Sequence, residues 1–168
     1  MKIYLAGSVP KGNEELKSFD NWRLRYQKVL EKHFKAEFVD PYDRTLDEND
    51  SLLVFGADCN HVKTSDLIIV NAETRVGAGT AQEMVITKYF KKPVVAVLPK
   101  NTHHRRSNVI FGEYLVQDWL HPFINSFSDF VIENIEEIEK IKAKIFTTEI
   151  KAISIIDDGI KHFLAGGK

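Results

Sequence analysis

A chain of 168 residues is long enough to bury a full apolar core, so folding requires neither disulfides nor a structural metal, and one domain over 1–168 is expected. Its 23 Lys and Arg against 24 Asp and Glu leave a net charge of −1 and no overall positive field, which excludes nucleic-acid polymers and anionic membrane surfaces as expected partners. The single cysteine, Cys59, cannot close an internal disulfide, the apolar opening run is too short for a signal peptide, and no stretch approaches the roughly 20 apolar residues of a membrane span; a cytoplasmic protein is expected.

Ile3 to Ala6 reads as a short strand closed by Gly7-Ser8. After a loop over 9–12, Phe19, Trp22, Tyr26, Val29, Leu30 and Phe34 keep helical spacing, so one helix is expected over 13–33, with Asn13 as its cap and Glu14 and Glu15 in its first turn. Ala36 to Val39 is a second strand, stopped at Asp40-Pro41 because the residue before proline is held out of the α region. Turn chemistry accounts for Asp40 and Asp43 there, with the lining of a crevice as their secondary reading. Leu52 to Thr64 reads as a helix and 65–71 as a third, apolar strand whose Asp66 ties the preceding turn. A helix follows Gly79 and ends at Lys91-Lys92-Pro93, and Val94 to Leu98 is a fourth strand.

The segment 100–125 is irregular, with a helix expected near Val109 to Leu120, and Phe127 to Ile132 supplies a fifth strand. From Asn134 to Leu164 the apolar residues again keep helical spacing. A continuous helix there would run about 46 Å, too long for a small domain, so it either breaks near Thr147-Thr148 or packs on a second subunit, and the tail after it is expected to fray. Apolar strands each followed by a loop and a helix are the pattern of parallel βαβ units buried on both faces. The expected fold is an α/β three-layer sandwich with a five-stranded, mainly parallel sheet, flavodoxin-like or Rossmann-like, carrying a C-terminal helical extension over 133–165.

In such sheets ligands bind outside the carboxyl ends of the strands. There the chain gathers Tyr4 with Gly7 and Ser8, Asp58 in the helix before the third strand, and Glu83 just after Gly77 and Gly79. A buried carboxylate beside a tyrosine hydroxyl, with a second carboxyl near it, suits cleavage of a glycosidic bond: one group attacks or stabilises the anomeric carbon and the other protonates the leaving group. The Gly7-Ser8 turn adds backbone N–H groups and a hydroxyl, a seat for phosphate. Thr80-Ala81-Gln82-Glu83 also reads as a capping box, in which Glu83 merely bonds back to the Thr80 N–H. The glycines at 77 and 79 lack the third glycine of a dinucleotide fingerprint. The six histidines show no zinc spacing, and the carboxylate pair carries both roles, so neither metal nor cofactor is expected.

Tyr4-Leu5-Ala6-Gly7-Ser8, Asp58 ahead of Asp66, and Gly79-Thr80-Ala81-Gln82-Glu83, in that order, resemble the nucleoside 2-deoxyribosyltransferase superfamily, closest in pattern to its 2'-deoxynucleoside 5'-monophosphate N-hydrolases. The resemblance runs from Met1 to about Gly112. It implies Glu83 as the nucleophile attacking C1' of the sugar, Tyr4 as the holder of its carboxylate, and Asp58 as the group handling the proton of the departing base. A glycosyl-enzyme would be resolved by water in a hydrolase and by a second base in a transferase. It further implies phosphate or substrate contacts at Gly7, Ser8, Gly77 and Gly79, and at Ser107 from a neighbouring subunit, which would make the protein a homodimer or larger. Arg105, within His103-His104-Arg105-Arg106, would be a cationic donor. Gly77 stands where relatives place a polar phosphate contact. Tyr4 favours a 2'-deoxyribose, since members acting on ribonucleotides tend to have phenylalanine there. The expected activity is hydrolysis of the N-glycosidic bond of (2'-deoxy)nucleoside 5'-monophosphates. The alternatives are a base-exchanging deoxyribosyltransferase and a non-catalytic nucleotide-binding or sensing protein in which Glu83 caps its helix.

Overall fold

The computed structural model describes residues 1–42 and 45–166; Asp43 and the end of the tail at 167–168 lie outside the described residues. In chain order the elements are β1 (Lys2–Ala6), α1 (Gly12–Leu16), α2 (Trp22–Leu30), β2 (Glu37–Val39), α3 (Ser51–Thr64), β3 (Leu67–Asn71), α4 (Ala78–Tyr89), β4 (Val94–Val97), β5 (Arg105–Phe111), β6 (Tyr114–Leu120), α5 (Pro122–Phe127), β7 (Phe130–Ile132), a 3-10 turn (Ile135–Glu137), α6 (Ile138–Ile141) and α7 (Ile155–Leu164).

The main sheet has the order β2-β1-β3-β4-β7 with every pairing parallel, as expected for a flavodoxin-like sheet. Alternate side chains of its central strands enter two separate cores, which is why those strands read as unbroken apolar runs. Ile3, Leu5, Ile69 and Val95 pack on Trp22 and Tyr26 of α2 and on Ile135 and Ile138, while Tyr4, Ile68, Val70 and Ala96 pack on Val62 of α3, Met84 of α4, and Ile124 and Phe127 of α5. The result is three layers. Strand order reverses between β1 and β3, and in such sheets the loops leaving the carboxyl ends at that point, here Gly7-Ser8 and the loop before α4, flank the ligand crevice. Asp66 ties the amino end of the sheet, accepting the Lys2 N–H at 2.8 Å.

Three expectations are corrected. The single helix over 13–33 is two helices, because Ser18, Asp20 and Asn21 favour turns over helix interior; Ser18 Oγ bonds back to the Glu15 carbonyl at 3.4 Å. Asn13 is not the cap: Lys11 holds that position without a side-chain bond, and its N–H donates to Glu15 Oε2 at 2.7 Å.

The helix expected near Val109 to Leu120 is instead the antiparallel hairpin β5-β6, pairing Val109 with Val116 and Phe111 with Tyr114. Gly112, at φ +61°, and Glu113 form its two-residue turn, and the β-branched Val109, Ile110 and Val116 suit strands. The C-terminal extension is broken, as one of its two expected readings had it. α6 stops at Ile141, turns lead to Thr148, and Thr147 Oγ bonds back to the Ala143 carbonyl at 3.0 Å, so the break falls next to the two threonines. No helix among the described residues is long and apolar enough to cross a membrane.

Candidate active site

Tyr4 sits in the middle of β1, wholly buried, and its hydroxyl donates to Glu83 Oε1 at 2.5 Å. Glu83 lies in the second turn of α4, where only 8% of the residue is exposed. The capping box suggested by Thr80 to Glu83 does not form: Gly77 is the N-cap, no side chain caps the helix, and Glu83 turns to the sheet instead of back to Thr80. The helix-cap reading of Glu83 is therefore corrected.

Burial raises the Glu83 carboxyl, the Tyr4 hydrogen bond and the Arg23 charge lower it, Asp58 raises it again, and it settles at about 7, well above its ordinary 4.5. The Tyr4 hydroxyl is driven far above its usual range, first by burial and then by the Glu83 charge, so it stays a protonated donor. Asp58, on α3, is also raised by burial, opposed by His61 and reinforced by Glu48. Its field reaches both Tyr4 and Glu83, so the structure brings the three sequence candidates into one electrostatic unit.

Gly7 is required by close approach: a Cβ there would lie 2.6 Å from Cζ2 of Trp22. Ser8 is exposed at the crevice rim, and Gly77 and Gly79 are exposed at the start of α4, with open space where a Cβ would stand. The loop before α4 is fixed from the other side, since the Val76 N–H donates to Nε2 of His104 at 2.9 Å. Burial, helped by His103, His121 and Arg75, brings His104 down to about 4, so at neutral pH it is an uncharged acceptor with its proton on Nδ1.

Ser107 lies on β5 of the hairpin. With Arg106, His103, Asn101, Thr102 and Val109 it lines an open pocket of about 430 Å³. Arg105, the expected cationic donor, is engaged within the chain. Asp118 on the facing strand holds its Nε and Nη2 at 2.9 and 2.6 Å, and the Leu98 carbonyl takes Nη1 at 3.2 Å, so the Nε–Nη2 edge of the guanidinium is occupied by a carboxylate.

Two residues escaped sequence reading. His61, one turn after Asp58 on α3, stacks on the Tyr4 ring with centroids 6.2 Å apart and planes 17° off parallel; its i,i+3 spacing from Asp58 was the available signal. Arg23, on α2, is 1% exposed and aims its guanidinium at the carbonyls of Leu5, Gly7 and Ser8. Nothing in the sequence separates it from an ordinary solvated helix arginine. Among the described residues no group of three His, Cys, Asp or Glu side chains could hold a metal ion.

No protein-family model matches the chain and no curated protein matches it by sequence. Solved structures do match its fold. A conserved protein from Enterococcus faecalis V583 is 20% identical with a TM-score of 0.55, over 85% of this chain and 98% of that one. A 2-deoxyribosyltransferase from Bacillus psychrosaccharolyticus is 18% identical with a TM-score of 0.54, over 90% and 98%. A 2-desoxiribosyltransferase from Leishmania mexicana is 16% identical with a TM-score of 0.56, over 85% and 97%. At these identities the likeness establishes the fold.

Proposed function

We propose that this chain is an enzyme that cleaves the N-glycosidic bond of nucleotides or nucleosides, with (2'-deoxy)nucleoside 5'-monophosphates as its substrate class and water as the acceptor. The observation that carries the reading is the 2.5 Å hydrogen bond from the buried Tyr4 hydroxyl to Glu83. It fixes one carboxylate oxygen from below and leaves the other free to attack. Glu83 attacks C1', the bond from C1' to the base breaks, and its electron pair leaves with the base, which takes a proton from Asp58. Water then attacks C1', gives its proton to the Asp58 carboxylate, and Glu83 departs. Burial favours the protonated form of Asp58 that the first step needs. Tyr4 contributes a neutral donor that follows the carboxylate without competing for the proton.

The fold's likeness to two proteins named 2-deoxyribosyltransferases supports sugar transfer through this crevice. It also keeps base exchange as the second reading, which differs only in what resolves the intermediate. The phosphate would rest on the Gly7-Ser8 turn, with Ser107 supplied by a second copy of the chain in a homodimer or larger assembly.

Incubation with ribo- and deoxyribonucleosides and their 5'-monophosphates, followed by chromatography of free base, tests the reading. Deoxyribonucleoside monophosphates are expected to release base fastest. Adding a second free base identifies a transferase by the appearance of a new nucleoside. No base from any member of the panel would sink the proposal.

A further inference from the structure

We infer that Arg23 is the positioning residue of this site: its guanidinium sets the peptide planes of the turn after β1 so that the Ser8 and Val9 N–H groups face the crevice, and its buried positive charge balances the Glu83 carboxylate. The inference rests on the proposed glycosidic cleavage and assigns a residue to it that neither attacks nor protonates.

Arg23 Nε donates to the Leu5 carbonyl at 3.1 Å, Nη1 to the Ser8 carbonyl at 3.1 Å and Nη2 to the Gly7 carbonyl at 3.2 Å. Trp22 Nε1 adds a second donor to the Ser8 carbonyl at 3.3 Å, and its ring lies under the guanidinium at 4.4 Å. In a trans peptide the carbonyl and the following N–H point opposite ways, and none of the described peptide bonds is cis. Drawing the Gly7 and Ser8 carbonyls down onto Arg23 therefore turns the N–H groups of Ser8 and Val9 up, away from α2. Neither N–H meets a protein acceptor among the described residues, and both residues are exposed. Two adjacent, unpaired N–H groups make an anion seat, and Arg23 is what aims them. Only a flat fork with several donors spans three carbonyls at once; a lysine ammonium cannot.

The charge has a second consequence. Among the described residues Asp40, at 3.4 Å, is the carboxylate in ion-pair contact with Arg23, and it is far more exposed than the arginine, so solvent weakens that pairing. Tyr4 of β1 bonds Glu83 directly, the charges of Asp58 on α3 and Arg23 on α2 act on it, and it acts in turn on Cys59 of α3; among these described residues Arg23 is the cation.

Arg23→Lys, Arg23→Met and Asp40→Asn separate the two roles when assayed on the substrate that the wild type turns over, with the unphosphorylated nucleoside in parallel. In Arg23→Met the acid limb of kcat/KM, where Glu83 takes up its proton, is expected to move up by about one pH unit. In Asp40→Asn, which removes the opposing charge, it moves down. Arg23→Lys keeps the charge and loses the fork: its limb stays close to that of the wild type, while KM rises about tenfold for the monophosphate and less than about threefold for the nucleoside. Should Arg23→Met fail to fold, the opposite limb shift in Asp40→Asn and the KM split in Arg23→Lys carry the test. Unmoved limbs, with equal losses on both substrates, mean a merely structural arginine and overturn the inference alone. A wild type that releases no base overturns the parent reading and this inference with it.

Discussion

Glu83→Gln is expected to lower base release by about 10⁴-fold or more and, at the same time, to make the protein more stable at neutral pH. The amide keeps an oxygen for the Tyr4 hydroxyl, so the site's shape is preserved, but it cannot attack C1'. The stability gain follows from burial, which raises the folded Glu83 to about 7 against an ordinary 4.5. For a carboxyl raised in the fold, the stabilising contribution is fully present below the unfolded value and is lost as pH rises through the folded one. Between about 4.5 and 7 the wild type loses it, to the extent of up to about 3 kcal/mol, whereas glutamine has nothing to ionise. Thermal unfolding of the two proteins at pH 8 is expected to differ by several degrees in favour of Glu83→Gln, with the difference closing at pH 4. A variant less stable than the wild type at pH 8 would mean that the ionised carboxylate holds the fold together instead of straining it.

Asp129→Ala is expected to cost about 3–5 kcal/mol of stability in urea unfolding, the largest effect of any single change away from the crevice. Asp129 is the hub of the far edge of the sheet. It pairs with the wholly buried Lys88 of α4 and accepts the Val94 and Lys151 N–H groups, each at 2.7 Å. Lys151 Nζ then donates to the Asn125 and Ser128 carbonyls at 2.8 and 2.7 Å. Burial alone pulls the Lys88 ammonium down, and the Asp129 hydrogen bond holds it up, so deleting the aspartate leaves a buried cation and two partly buried N–H groups without their acceptor. The double variant Lys88→Met/Asp129→Asn is expected to be less damaged than Asp129→Ala, because no unpaired charge remains. Equal losses in the two would show that the pair is not coupled.

The strands were legible because each central one enters two cores and therefore reads as an unbroken apolar run, as at Leu67 to Val70. The hairpin was not, because Val109, Val116 and Leu120 also fit a helical pattern and the Gly112-Glu113 turn is a short signal inside it. That misreading hid the partner of Arg105: Asp118 faces it only when the segment is two strands. Tyr4, Asp58 and Glu83 stood out in the sequence through the order and spacing of their motifs, yet a capping glutamate and a glutamate turned to the sheet are one string of letters, and only the tertiary contact to Tyr4 separates them. Arg23 was invisible for the opposite reason. A charged residue on an amphipathic helix reads as solvent-facing unless the carbonyls that receive it are already in place.

The most direct measurement is the mass of the protein quenched in acid during turnover of a deoxyribonucleoside monophosphate, with peptide mapping of any adduct. The expected result is a deoxyribosyl phosphate ester on the peptide that carries Glu83, formed as base is released, lost on further incubation, and absent from Glu83→Gln. Base release that continues in Glu83→Gln, with no adduct at that position in the wild type, would contradict it.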